Sequence, residues 1–104
     1  MAEDSKLSHT AAMVLQSISL GHVYGYSVME VTGLPSGTVY PALRRLERDR
    51  LIISRWEKQS TAEAALRPSR KYYKITRAGS ATLDAVRKRY PLLAMVPAAE
   101  VERV

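Results

Sequence analysis

Apolar positions recur along this chain with two periods, one helical and one alternating. Leu7, Ala11, Val14, Leu15 and Ile18 fall at helical spacing and make one stripe. Ser8 is suited to cap a helix running to Leu20, and Gly21 to stop it. Met13 and Leu20 lie nearly opposite that stripe, so this helix offers apolar surface to two bodies. Gly21–Gly25 reads as a turn, and a short helix follows over 26–31, with Val28, Met29 and Val31 available for burial. After the breakers between Thr32 and Gly37, a third helix runs from Ser36 to Asp49. At about 100° per residue, Val39, Ala42, Leu43 and Leu46 share one arc. Gly37, Pro41, Arg44, Arg45 and Arg48 share the opposite arc, flanked by Thr38 and Tyr40. Pro41 lacks an amide hydrogen, which predicts a loosely wound start and regular helix from Pro41 onward.

The period then changes. Leu51–Trp56 and Arg70–Ile75 are rich in strand formers and too short for helices. The polar, Ala-rich segment Glu57–Ser69 between them predicts a hairpin with a long mobile loop, and Trp56 reads as a packing residue at the hairpin root. Tyr72 and Tyr73 point to opposite faces of the second strand, which puts one of them in the core. Thr76 caps a last helix reaching about Tyr90, with Leu83, Val86 and Tyr90 as its stripe and Gly79 close behind. The apolar tail Leu92–Val96 calls for cover from the body or from a partner. The expected fold is therefore mainly α with a small β-hairpin (α+β). Three helices followed by a hairpin is the order of a winged helix-turn-helix, whose third helix enters the DNA major groove.

Length and composition narrow the class. A chain of 104 residues, 46% apolar and 25% charged, fits one globular domain with a small core and leaves room for help from a second copy. No apolar run is long enough for a membrane span, and the polar, acidic start from Met1 to Lys6 is not a secretory signal. The absence of cysteine removes disulfides, thiolate metal sites and thiol nucleophiles, and fits a reducing cytoplasm, the expected location. Charge placement adds more. Residues 44–77 hold eleven bases against four acids, whereas residues 1–43 hold one base and three acids. So concentrated a positive field favours a polyanion, nucleic acid first.

The third helix carries the candidate chemistry. Arg44 and Arg48 stand four apart on one face, suited to guanine edges or phosphates. Ser36, Thr38 and Tyr40 bring hydroxyls, and the helix start brings free amides suited to a phosphate. Lys58, Arg67, Arg70 and Lys71 make a basic wing that can follow a backbone or reach a minor groove. Catalysis finds no such support. His9 and His22 lack acidic or nucleophilic partners at a recognisable spacing and read as surface or turn histidines. No His or carboxylate cluster suggests a metal, and no cofactor is expected.

Several of these segments together resemble the PadR-like transcriptional regulators, bacterial winged-helix repressors. They are Gly25-Tyr26-Ser27-Val28, the run from Leu34 to Glu47 with Gly37-Thr38-Val39-Tyr40-Pro41-Ala42-Leu43 at its centre, Leu51-Ile52, and Arg70-Lys71-Tyr72-Tyr73-Lys74-Ile75-Thr76 with Gly79. The resemblance covers roughly residues 8–90 and makes the Tyr40-Pro41 pair a family feature. It implies a homodimer on double-stranded operator DNA with an inverted repeat. Ser36, Thr38, Tyr40, Arg44 and Arg45, joined by Arg48, would face DNA, and Lys58, Arg70 or Lys71 would supply the wing. It also implies dimerisation through the last helix, assisted by the first, which selects Met13, Leu20, Leu83, Val86 and Tyr90. The division that follows is a flexible tail over 1–7, a DNA-binding winged helix over 8–75, and a dimerisation helix with a short apolar tail over 76–104. Arg50 stands where the family usually has glycine. Two alternatives remain: a winged-helix protein-interaction module, and a repressor with a small-molecule effector at the dimer interface. The second is unsupported, because the aromatic-drug binders of the family use a Trp in the last helix and no Trp follows Trp56.

Overall fold

The computed structural model describes residues 7–100. Helix α1 (His9–Ser19) begins where expected, with the Ser8 hydroxyl accepting from the Ala11 amide at 3.1 Å. Helix α2 (Gly25–Thr32) ends at Gly33, whose φ of 74° is the left-handed conformation that suits glycine. Helix α3 (Ser36–Arg48) runs unbroken through Pro41, so the loosely wound start is not found. Strand β1 (Ile52–Trp56) pairs antiparallel with β2 (Lys71–Ile75), Ile52 opposite Ile75 and Trp56 opposite Lys71. Between them lies a short helix α4 (Gln59–Ala64), and after β2 come α5 (Arg77–Arg87) and a 3-10 turn over Pro91–Met95. The winged helix-turn-helix order is borne out.

The core joins every major element. Val14, Leu15 and Ile18 of α1 meet Val28 of α2, Val39, Leu43 and Leu46 of α3, Ile52, Tyr73, and Leu83 and Val86 of α5, with Leu93 from the 3-10 turn. Tyr73 is thus the inward tyrosine of the pair. The stripe on the last helix is real, but its partner is α1 of the same chain. Leu83 and Val86 are each 1% exposed, so these two expected dimer contacts offer no surface to a second copy. Gln16 fastens the same junction. Its amide donates to the Leu93 carbonyl at 3.0 Å, and its oxygen accepts from Arg87 Nε at 3.2 Å. The 3-10 turn is thereby held to α1 although Leu92 and Met95 stay exposed.

The joint between α3 and β1 answers the question Arg50 raised. The Leu51 amide reaches the Leu46 carbonyl at 2.9 Å, and the Arg50 amide reaches Glu47 at 3.0 Å. That is a Schellman ending with Arg50 in the glycine place, at φ 63°. Thr76 locks the joint from the other side, its hydroxyl donating to the Arg50 carbonyl at 2.8 Å and accepting from the Gly79 amide at 2.9 Å. Gly79 is required here because a Cβ would stand 2.1 Å from the Leu51 carbonyl oxygen.

Two expectations for the hairpin are corrected. The connection is ordered by α4, which buries Ala62 and ends at Leu66 with the same Schellman pattern and a φ of 59°. Trp56 lies at the far end of the hairpin and is 63% exposed. Beyond Ser54 the ribbon runs out past the core, so alternation no longer buries a side chain of β1. The presumed turn before α2 also contributes: Tyr24 bridges to Tyr72, and the Tyr73 amide donates to Val23 at 2.8 Å, extending the sheet on the free edge of β2. The expected division at 75 falls inside this shared core, and the expected tail over 1–7 lies, except for Leu7, outside the described residues.

Candidate nucleic-acid interface

The apolar arc of α3 is consumed by the core, which leaves the basic arc outward. Ser36, Tyr40, Arg44, Arg45 and Arg48 are exposed, and Thr38 is half-buried. Among the described residues Arg44 and Arg45 have no carboxylate within ion-pair distance and no hydrogen-bond partner, whereas Arg48 Nε meets Asp49 at 3.3 Å. Free guanidinium groups on a rigid helix face are what bidentate binding of guanine or phosphate needs. The Ser36 and Gly37 amides at the start of α3 lie outside the helical ladder and add donors at the same end, whereas the Thr38 amide already donates to the Pro35 carbonyl at 2.9 Å.

Tyr40 is positioned by what is missing opposite it. A Cβ on Gly25 would stand 2.3 Å from the Tyr40 hydroxyl oxygen, so the bare backbone at the start of α2 leaves room for the ring. The phenol stays 40% exposed at the rim of the helix face.

The wing is held by two carboxylates. Glu47 on α3 accepts from the Ser54 hydroxyl of β1 and stands 3.8 Å from Lys71 Nζ of β2, tying α3 to both strands. Glu57 anchors the distal connection. It takes a bidentate pair from Arg67 at 2.6 and 2.8 Å, the Arg70 amide at 3.2 Å and the Tyr72 hydroxyl at 3.3 Å. With so many donors, the Arg67 guanidinium foremost, its carboxyl is held down at about 2, against the opposing pull of desolvation. Burial pushes the Tyr73 phenol up.

The expected wing residues therefore divide. Lys58 is exposed at the start of α4. Arg70 is half-buried, its guanidinium 4.2 Å from the centre of the Tyr24 ring. Lys71 is half-buried and braced by Glu47, and Arg67 belongs to the Glu57 anchor rather than to a free surface. Sequence reasoning missed Tyr24, Trp56 and Glu57. The interleaving of Tyr and Arg around β2 was the one available signal. Together α3 and the wing enclose an open cleft of about 640 Å³ with Tyr40, Arg44, Trp56 and Arg70 on its walls. Met13, Leu20 and Tyr90 of the expected dimer set are half-buried. Tyr90 stacks on His9 at 4.7 Å and donates to the Leu7 carbonyl at 2.9 Å. His22 is a turn histidine, 2.7 Å from the Pro97 carbonyl and 3.3 Å from the Ser27 hydroxyl. No described helix is long and apolar enough to cross a membrane, and no described cluster of His, Asp or Glu could hold a metal.

Comparison with known proteins agrees with this geometry. The family model of the transcriptional regulator PadR-like family matches residues 14–85. A PadR family transcription regulator from hypervirulent Clostridium difficile shares the fold at 23% identity and a TM-score of 0.69, over 86% of this chain and 94% of that one. A PadR-like transcriptional regulator from Bacillus cereus is 28% identical, with a TM-score of 0.61 over 82% and 84% of the two chains. A PadR family transcriptional regulator from Eggerthella lenta is 27% identical, with a TM-score of 0.59 over 79% and 74%. No curated protein matches the chain. With more than half of its length matched by the family model and its basic helix and wing on one side, this chain belongs to the PadR-like family and is a DNA-binding transcriptional regulator.

Proposed function

We propose that the chain is a homodimeric repressor of an inverted-repeat operator. In this reading α3 enters the major groove and the wing follows the flanking backbone. The observation that carries it is the unpaired Arg44 and Arg45 on the exposed arc of α3, beside a wing fixed to that helix through Glu47. Thr38, Tyr40 and Arg44 supply part of the base readout, while Ser36, Arg45, Arg48, Lys58, Arg70 and Lys71 supply phosphate contacts. Each phosphate neutralised contributes about 0.9 to the slope of log affinity against log salt.

Self-association is supported by exposed apolar groups on the C-terminal turn, Leu92 at 66% and Met95 at 76%, on the element next to Tyr90. A two-fold dimer would set two α3 helices about 34 Å apart, one turn of duplex. Light scattering should give the mass of two chains, and Met95→Glu should lower it.

The operator test is fluorescence anisotropy with the duplex upstream of the gene and a scrambled duplex, at ~50 and ~200 mM salt. A preference of ~10³ or more that survives the higher salt is expected. Arg44→Ala should cost ~1–3 kcal/mol on the preferred duplex. Equal affinities that collapse together in salt, or an Arg44→Ala variant that binds like the parent, would overturn the assignment.

A further inference from the structure

The cleft between α3 and the wing holds more than a duplex backbone requires. Its volume, about 640 Å³, lies in the range of small-molecule sites. Its walls carry the rings of Tyr26, Tyr40 and Trp56, with Tyr26 58% and Trp56 63% exposed. Tyr26 and Trp56 thus keep ring surface open to a ligand, although Lys71 Nζ stands 5.8 Å from the centre of the Trp56 ring. Arg44 and Arg70 line the same cleft, and neither has a carboxylate partner among the described residues. The other two cations there, Arg67 and Lys71, are already matched by Glu57 and Glu47, and no described carboxylate lines the cleft.

Two guanidinium groups without carboxylate partners, that of Arg70 lying 4.2 Å from the centre of the Tyr24 ring, stand beside exposed aromatic faces and define a ligand with two parts. One is a planar ring that offers a π face. The other is an anion with enough oxygens for two forked donors, which a phosphate supplies. We propose that this cleft binds a nucleoside monophosphate unit, its base stacked between Tyr26 and Trp56 and its phosphate on Arg44 and Arg70. The unit can come from a free mononucleotide or from an unpaired nucleotide of a strand. Occupancy takes Arg44 away from duplex DNA, so binding and duplex affinity oppose each other. Only this last consequence rests on the reading of α3 as the recognition helix. The site itself does not.

Trp56 is the sole tryptophan and reports directly on the cleft. Its fluorescence would be followed while the full chain is titrated with AMP, adenosine, inorganic phosphate and a short single-stranded oligo-dA. Saturable quenching by AMP at one per chain is expected, with adenosine and phosphate each about tenfold weaker or more. Tyr26→Ala, with its fold checked by circular dichroism, should weaken AMP about tenfold. Oligo-dA binding more tightly than AMP would name the strand as the source, and the reverse would name the free nucleotide. Quenching that does not saturate, adenosine equal to AMP, or an unaltered Tyr26→Ala variant would overturn the site. The final arm adds AMP to a chain already bound to labelled duplex. Release is expected, and AMP binding without release would overturn the competition. A chain that binds AMP but no duplex would refute the DNA reading and leave the site standing.

Discussion

Arg50 is the sharpest place to test how this chain is built. It holds the left-handed place of a Schellman ending at φ 63°, where a Cβ crowds the following carbonyl. A non-glycine residue there costs about 1–2 kcal/mol. Glycine removes that cost but loses about 0.4–1 kcal/mol through its greater freedom when unfolded. Arg50→Gly should therefore gain on the order of 0.5–1 kcal/mol, which raises the melting temperature by roughly 2–8 °C for a domain of this size. The hydrogen bonds recorded for Arg50 run through its own backbone, to Glu47 and from Thr76, so glycine keeps them. The assay is thermal unfolding by circular dichroism, with Arg50→Ala as the control. Alanine removes the same charge from a crowded basic stretch but keeps the Cβ. A rise with glycine and none with alanine supports backbone strain. Equal rises would refute it and assign the gain to relief of charge repulsion, and no rise with glycine would refute it outright.

Gly79→Ala should be severely destabilising, at least ~2 kcal/mol by urea unfolding, because the new methyl meets the Leu51 carbonyl oxygen at 2.1 Å, backbone that Thr76 holds in place. A parent-like midpoint would show that this joint can open. Leu93→Ala should cost ~2–5 kcal/mol, since the side chain is buried with α1 and α5, and a loss under 1 kcal/mol would make the 3-10 turn a loose appendage. The Glu57 anchor gives a pH dependence. Its carboxyl lies near 2 when folded against an ordinary 4.5, so its stabilisation is complete above about 4.5 and fades as pH falls toward 2. The melting temperatures of the parent and Glu57→Gln should differ at pH 7, draw together below 4.5 and meet near 2. A gap constant across that window would remove the carboxylate charge from the explanation.

The parts that were legible in the sequence are those whose cause is local. The opposed arcs of α3 follow from spacing alone, and the Ser8 and Thr76 caps from residue type beside an apolar period. The stripe on α5 was equally legible, but spacing says only that Leu83 and Val86 must be covered, not by which chain. α1 covers them. Pro41 looks like a disturbance in the sequence because a missing amide hydrogen is a local fact, whereas the packing of Val39 and Leu43 that keeps the helix regular on either side is not. The wing was least legible. α4 has no apolar period, only Ala62, and it is stopped by a left-handed leucine. Glu57 reads as one more surface acid until Arg67 and Tyr72 are brought beside it across ten and fifteen residues.

Those acids change what the charge of this stretch means. Counting signs over 44–77 treats four carboxylates as a subtraction from eleven bases. In the structure three of them are each matched to a base of the same stretch: Glu47 to Lys71, Asp49 to Arg48, Glu57 to Arg67. The exposed Arg48 pair contributes little to stability. The other two span different elements, and each also accepts a hydroxyl from a strand: Ser54 for Glu47, Tyr72 for Glu57. Their effect is geometric. Glu47 sets the angle of the hairpin to α3, and Glu57 sets the course of the connection that presents Arg70. The bases without carboxylates on this side, Arg44, Arg45 and Arg70, are thereby fixed relative to one another before any ligand arrives. A basic stretch of the same net charge without the two anchors would attract a polyanion equally well at long range. It would then have to order the wing at the moment of binding, at a cost in affinity.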